Sequence, residues 1–345
     1  MSGNSKPDIR SCSKEDLEQF FLEHGEKKFR VSQLVERLWL KPAKSFDEMQ
    51  LLPKEIRQSL AQSYTLNTAI AEQQQVSSDG TVKYGFRLHD GYLVEGVMIP
   101  SGDRSTVCIS SQAGCALGCK FCATGQLGFT RNLSAGEIFD QVTTIEAAHG
   151  KVSNLVFMGM GEPLMNYTNV KTAIERITDP KGLGMSPQRI TLSSVGIPKM
   201  IRKLADDQLK VHFALSLHAA TDVKRNQIIP VNQRYPLDEL KEALKYYYSH
   251  TKKRFTVEYI LFGNFNDSIQ DATDLALFCR NFPVKINLIE YNPVQGTGFT
   301  SSAPGKTEAF VRFLEKRNLV INVRQSRGKD IAAACGQLAG KQLNG

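Results

Sequence analysis

What this 345-residue chain lacks narrows its roles before any motif is considered. No apolar run reaches the roughly eighteen residues that a helical membrane span needs, so no membrane attachment is expected. The opening stretch MSGNSKPDIR carries no apolar signal-peptide segment, and a cytoplasmic location is the expectation. Internal repeats and low-complexity tracts are absent as well. Cysteine is scarce: there are seven, an odd number, gathered mostly in one place. A secreted disulfide framework would need paired spacings and is not expected. Acidic charge is in the minority, with 35 Asp and Glu against 43 Lys and Arg, a net charge of +8. The surplus favours an acidic partner such as RNA without identifying one. The length suits one large domain with a small attachment and is ample for a buried core.

Four of the seven cysteines fall in Cys108-Ile-Ser-Ser-Gln-Ala-Gly-Cys115-Ala-Leu-Gly-Cys119-Lys-Phe121-Cys122. The last three read C-x3-C-x2-C, with an aromatic before the final cysteine. Zinc ribbons complete a tetrahedron with a second Cys or His pair, and no second C-x2-C follows here. Three close thiolates suit a [4Fe–4S] cluster that keeps one iron open. An open iron can chelate the amino and carboxylate groups of S-adenosylmethionine (SAM). The residues alone also admit a three-cysteine zinc site borrowing a distant His, or plain buried thiols.

Residues 1–12 are polar, and Cys12 reads as an incidental thiol. From Lys14 to about Tyr64 the pattern is helical: Val31, Leu34, Val35 and Leu38 share one face, and Pro53 opens a helix running through Ile56 and Leu60. Lys27, Lys28, Arg30, Arg37, Lys41 and Lys44 make this region basic, which suits a solvated face as well as an RNA contact. Thr81–Leu88 and Tyr92–Ile99 alternate around His89-Asp90-Gly91, a hairpin signal. From about residue 104, strand-like runs at 106–110, 154–158, 189–193, 211–216, 255–261 and 284–289 alternate with helical patterns. The helical patterns lie near 134–149, 166–178, 197–206, 238–249, 269–281 and 306–317. Ser134 and Glu137 form a capping box, and Gly150 stands where a C-cap belongs. The alternation predicts an α/β fold with a parallel sheet and right-handed crossovers. Six units predict a partial (β/α)6 barrel of TIM type, with Leu319–Arg324 as an added edge strand. Cys279 is expected in the core. The expected divisions are a helical domain over 1–70, a β-hairpin connector over 71–103, the barrel over 104–329 and a C-terminal segment over 330–345.

In such a barrel, function collects in the loops that follow the strands. Those positions hold the cysteine loop, Gly159-Met-Gly161-Glu162-Pro163, Ser193, Ser216-Leu217-His218 and Asn292. Each polar residue taken alone reads equally as a strand-end cap or a turn. Glu95 alone is an outward strand residue, and Cys335 among Ala and Gly an incidental thiol unless its pKa is depressed. Lys252, Lys253 and Arg254, with Arg324, Arg327 and Lys329, are candidate phosphate contacts near the mouth and tail.

The motif C-x3-C-x-F-C resembles the signature of radical-SAM enzymes. The wider block CISSQAGCALGCKFCATGQLGFTRNLSAGEI is similar to the RNA adenine methyltransferases of the RlmN and Cfr family. The similarity continues through MGMGEP, ITLSSVG, ALSLHA, LIEYNP and AACGQLAG, from about Glu95 to the C-terminus. It implies the same barrel, with a small N-terminal helical domain that helps engage RNA. It implies that Cys115, Cys119 and Cys122 hold the cluster, and that Gly161, Glu162, Ser193, Ser216, Leu217, His218 and Asn292 contact SAM. Cys335 matches the family's methyl-carrying cysteine, Cys108 its partner thiol and Glu95 its proton acceptor. Carbon C2 of adenine is electron-poor and has no lone pair, whereas a thiolate attacks SAM readily. The resemblance implies that Cys335 takes a methyl from one SAM, and that a second SAM is cleaved to a 5′-deoxyadenosyl radical. The radical draws hydrogen from the S-methyl group, whose carbon then adds to the adenine. Cys108 attacks Cys335 sulfur to release the product, leaving a disulfide for cellular thiols to reduce.

The expectation is therefore a radical-SAM methyltransferase acting on C2 of an adenosine in 23S rRNA, and on the adenosine beside the tRNA anticodon. It would use two SAM per turnover and an electron donor such as flavodoxin or ferredoxin, and work as a monomer. The alternatives are a C8 methyltransferase of the Cfr kind, a radical-SAM enzyme acting on a small molecule or protein, and a zinc-stabilised RNA-binding protein.

Overall fold

The computed structural model describes residues 6–340. At its N-terminal end, Ser13 and Asp16 cap each other reciprocally and start α1 (Lys14–Glu23). Helix α2 (Arg30–Val35) runs on as a π-turn to Leu40, and α3 (Lys54–Ser63) begins after Pro53. Val31, Leu34 and Leu38 bury the face that their spacing predicts, against Leu17, Phe20 and Phe21.

Three antiparallel strands follow: β1 (Ala69–Val76), β2 (Val82–Leu88) and β3 (Leu93–Ser101). The Asp90-Gly91 turn is where the sequence puts it, with Gly91 at φ 88° as a tight hairpin requires. The hairpin is the middle of a longer meander, because β1 precedes it and β4 (Arg104–Cys108) turns back beside β3. The chain then makes an excursion through β5 (Gln112–Gly114), the one-turn α4 (Ala123–Gln126) and β6 (Phe129–Asn132).

The α/β alternation begins with α5 (Ala135–His149), β7 (Asn154–Phe157), α6 (Tyr167–Thr178) and β8 (Ile190–Ser194). It continues with α7 (Pro198–Asp206), β9 (His212–Ser216), a short α8 (Asp222–Ile228) and α9 (Leu237–Thr251). It ends with β10 (Phe255–Leu261), α10 (Ile269–Cys279), β11 (Val284–Glu290), α11 (Pro304–Glu315) and β12 (Val320–Arg324). Capping boxes start α5 and α10, and Gly150 ends α5 at φ 80°.

All of the long strands share one sheet, ordered β1-β2-β3-β4-β7-β8-β9-β10-β11-β12. From β4 onward every neighbour is parallel. The sheet ends at β1 and β12 without closing, so the barrel is partial, with β12 added after the sixth unit. Covered on both faces, its strands read as nearly continuous apolar runs; Phe213, Ala214 and Leu215 on β9 are fully buried. Cys279 lies in this core. The helical region is tied to the barrel by Arg10, which donates to Asp140 on α5 at 2.7 and 2.9 Å and to the Asn67 carbonyl. Trp39 packs edge-on against Phe139 on the same helix.

Candidate functional site

The parallel strands aim their C-terminal ends at one cavity of about 150 Å³. The cysteine loop forms one wall. Cys115 N–H donates to the Gly128 carbonyl at 2.7 Å, closing the excursion on itself. Gly125 lies against the Cys119 backbone so closely that a Cβ there would meet the Cys119 carbonyl at 2.8 Å. Cys115, Cys119 and Cys122 all line the cavity as free thiols. Burial pushes the Cys115 thiol up to about 12 and the other two upward, while N–H groups of Leu117, Thr124 and Gly125 favour the thiolates of Cys115 and Cys122. Thiols so placed ionise when a cation arrives to balance them.

The donor set fits an iron–sulfur cluster better than zinc. Among the described residues, no three Cys, His, Asp or Glu stand close enough to hold a single ion. The histidine in this cavity is His218, whose Nδ1 accepts the Ile260 N–H at 3.1 Å. Burial holds its pKa down at about 3, so the neutral ring carries its proton on Nε2 and has no free lone pair for a metal. His218 also takes φ 56°, an unusual backbone for this residue type that its packed surroundings maintain.

Opposite the cysteines, Gly161 takes φ 99°, and a Cβ there would fall 2.5 Å from Gln112 Cβ. Gln112 in turn accepts the Glu162 N–H at 2.8 Å. The Glu162 carboxylate accepts from Leu164 N–H and Val195 N–H, each at 3.0 Å, and burial raises its pKa to about 7. Ser193 Oγ and Ser216 Oγ lie 3.1 Å apart on the cavity wall. Leu217 and Asn292 are placed differently. Leu217 buries its side chain in the core, and Asn292 Nδ2 donates to the Cys335 carbonyl at 3.4 Å, which positions the segment above.

That C-terminal segment is laid across the mouth. Asp330 accepts from Ser77 Oγ at 2.5 Å and Ser78 N–H at 3.0 Å, Thr124 Oγ1 donates to the Leu338 carbonyl at 2.6 Å, and Ala123 N–H donates to the Gly336 carbonyl at 2.7 Å. Cys335 is exposed by area yet ringed by protein atoms; it lines the cavity with the three other thiols. Burial, the largest influence, raises the pKa of Cys335, and Glu258 and Cys122 raise it further while Arg324 opposes them; the depressed pKa that would by itself mark a reactive thiol is not found.

Glu95 is buried, and its Oε2 accepts the Ala339 N–H at 2.8 Å. Lys83 Nζ stands 3.8 Å from Glu95 Oε1 and 3.4 Å from the Ala332 carbonyl. Both side chains line a second cavity of about 680 Å³ on the outer side of the segment. Cys108 ends β4 outside both cavities, close enough to Cys335 that a charge on one raises the other's pKa. The Cys108–Cys335 pairing implied by the resemblance is not a bond here: all seven cysteines are free.

Several residues in the site gave no signal in the sequence. Lys83 and Glu258 stand within apolar strands, where a single charged residue reads as an outward one. Arg225 is 1 % exposed with no carboxylate in contact; it donates to the Leu217, Ser216 and Val195 carbonyls and stitches two strand-end loops together. Lys252, Lys253 and Arg254 need a correction. They lie between α9 and β10, at the N-terminal end of the parallel strands and away from the mouth.

A partial barrel with three cysteines in the loop after its first strand is the architecture of a radical-SAM enzyme. Residues 109–276 match the Radical SAM superfamily, and residues 8–66 match the ribosomal RNA large subunit methyltransferase N-terminal domain. The zinc-stabilised binding protein is thereby ruled out. Two relatives are described as probable dual-specificity RNA methyltransferase RlmN. The one from Christiangramia forsetii is 50% identical over 97% of each chain. The one from Cytophaga hutchinsonii is 51% identical over 97% of this chain and 93% of its own. A radical SAM methyltransferase from Sphaerobacter thermophilus superposes with a TM-score of 0.89 at 36% identity, covering 97% of this chain and 100% of that one. The chain belongs to the RlmN family of radical-SAM RNA methyltransferases, a family that implies a [4Fe–4S] cluster and SAM. No helix among the described residues is long and apolar enough to cross a membrane.

Proposed function

We propose that this enzyme methylates C2 of an adenosine in 23S rRNA, and of the adenosine beside the anticodon of tRNA. The observation that carries the reading is that Cys335 shares one cavity with Cys115, Cys119 and Cys122. The cysteine loop would hold the cluster, and Gly161, Glu162, Ser193, Ser216 and His218 would frame SAM, with Leu217 and Asn292 fixing the loops behind them. When bound, cluster and SAM would supply the radical chemistry able to draw hydrogen from a methyl group carried on Cys335.

The protein's own part is handling the methyl and the protons. The Cys335 thiolate would attack the methyl carbon of a first SAM, forming a thioether and releasing S-adenosylhomocysteine; a second SAM would serve the radical step. Glu95 takes the proton lost from the adenine. The Cys108 thiolate would then attack Cys335 sulfur; a disulfide forms, the electron pair of the broken sulfur–carbon bond goes to the product carbon, and that carbon takes up a proton to become the methyl group. Reductant from cellular thiols restores both thiols, and a flavodoxin or ferredoxin provides the electron for the cluster. The enzyme acts as a cytoplasmic monomer. The names of the relatives favour C2 over the C8 alternative.

Mass spectrometry of the tryptic peptide bearing Cys335, from anaerobically purified protein, tests this reading. One added methyl on sulfur is expected. An unmodified peptide after incubation with SAM, together with turnover by Cys335→Ala, would sink it. Nucleoside digestion of modified rRNA separates C2 from C8.

A further inference from the structure

Four parallel strands carry polar side chains at one level. Ser216 on β9 is in register with Glu258 on β10, Glu258 with Asn287 on β11, and Asn287 with Asn322 on β12. Residues in register on parallel strands point to one face, so these four form a row across the sheet. Asn322 Nδ2 donates to Asn287 Oδ1 at 3.2 Å, and Asn287 Nδ2 donates to Glu258 Oε1 at 2.8 Å. At the other end, Ser216 meets Ser193.

Glu258 is 3 % exposed and lines the cavity beside Ser193, Ser216 and Cys335. Asn287 fixes one carboxylate oxygen. The other, Oε2, is buried and has no hydrogen-bond partner. Among the described residues it is the one cavity-lining carboxylate oxygen left so, since Glu162 spends both of its oxygens on backbone N–H groups. Among the described residues no cation forms an ion pair with Glu258; burial raises its pKa, and Arg324 and Lys285 oppose the rise only from a distance. Burying an acceptor with no donor is costly, and such an atom persists in a binding cavity where a ligand completes it. An anchor for Asn287 alone would need only an amide oxygen, without the charge.

We propose that Glu258 binds the ribose of the adenosyl group, with Oε2 accepting a hydrogen bond from a ribose hydroxyl. The inference rests on reading this cavity as the SAM site. The amino group of SAM belongs at the open iron beside the cysteine loop. The flat adenine suits the apolar wall of Val195, Ile260 and Ile289. The adenine 6-amino group and the ribose diol are the donors left, and the diol is the better match, because its two hydroxyls suit the carboxylate together with the two serine hydroxyls beside it, without adding charge.

Isothermal titration calorimetry on anaerobic, cluster-loaded protein tests the assignment, using 5′-methylthioadenosine and its 2′,3′-dideoxy form. The wild type should prefer the ribonucleoside. Glu258→Gln, which keeps an acceptor for Asn287, should lose roughly tenfold or more in affinity for it and bind the dideoxy form as the wild type does. Unchanged affinity of the variant for the ribonucleoside overturns the proposal, and so does an equal loss for both probes. Should the variant misfold, the wild type decides alone: equal binding of the two probes overturns the proposal. A wild type that binds neither probe would overturn the reading of the cavity itself, and the proposal with it.

Discussion

Lys83 Nζ lies 3.8 Å from Glu95 Oε1 across two antiparallel strands, and each partner also grips the backbone on one side of Cys335. Lys83 reaches the Ala332 carbonyl, and Glu95 takes the Ala339 N–H. Gly85, without a side chain, stands in register opposite Glu95. One buried ion pair thus bears on the place of the thiol and on the charge of the carboxylate.

Lys83→Met should move the acid limb of the pH–rate profile upward. Burial raises the pKa of Glu95, and the Lys83 ammonium opposes that rise. Without the ammonium, the pKa climbs further and Glu95 stays protonated to higher pH. The proton-acceptor role proposed for Glu95 requires the ionised form, so kcat should fall on the acid side, with the limb displaced by roughly one to three units. Lys83→Arg should restore much of the profile. An unmoved limb in Lys83→Met would detach Lys83 from Glu95.

His218 makes stability depend on pH. Its folded-state pKa of about 3 lies below the ordinary value of 6.5. The unfolded chain therefore binds a proton between those values while the native protein does not. The stabilisation is full above about pH 6.5 and is lost as pH falls toward 3. Denaturant titrations of wild type and His218→Gln should show a slope with pH that is shallower in the variant by about one proton. Equal slopes would contradict the buried neutral ring.

Arg10 and Asp140 form a nearly dry pair, with side-chain exposures of 1% and 7%. Asp140→Ala strands the guanidinium and should cost about 3–5 kcal/mol. The double variant Arg10→Met/Asp140→Leu removes both charges and should cost much less. Gly136→Ala should also destabilise, since its Cβ would collide with the Arg10 side chain. Chemical denaturation measures all three.

Cys119→Ala should purify with depleted iron and sulfide, because it removes one of the three cysteine-loop thiols among the four that line the cavity. Cys335→Ala should keep the iron and the visible absorbance of the cluster while forming no methylated RNA. Iron retained in full by Cys119→Ala would exclude that residue as a ligand.

The barrel was legible because buried parallel strands and amphipathic helices have different periods, and because Ser134 with Glu137 and Gly150 mark the ends of α5. Strand β1 escaped because its polarity does not follow its burial: Ile70 and Val76 are exposed, whereas Gln73 and Gln75 lie on the more covered face with Ala69 and Ala71. Helix α8 is a seven-residue element with little periodicity to show. The spacing of Cys115, Cys119 and Cys122 announced itself locally. The clasp on Cys335 did not: Lys83 to Ala332 and Thr124 to Leu338 join positions more than two hundred residues apart, 249 and 214 respectively. Chemistry that a local motif encodes can be read along the chain, whereas contacts made by folding back cannot.

The segment bearing Cys335 belongs to no strand or helix of the barrel; separate fastenings to Ser77, Lys83, Glu95 and Thr124 keep it over the mouth. Its anchors are side-chain and backbone hydrogen bonds to four separate places, while Ala333 and Leu338 bury themselves in the core. The position of the Cys335 thiol therefore tracks the state of its fastenings, as the height of a bridge deck tracks its piers.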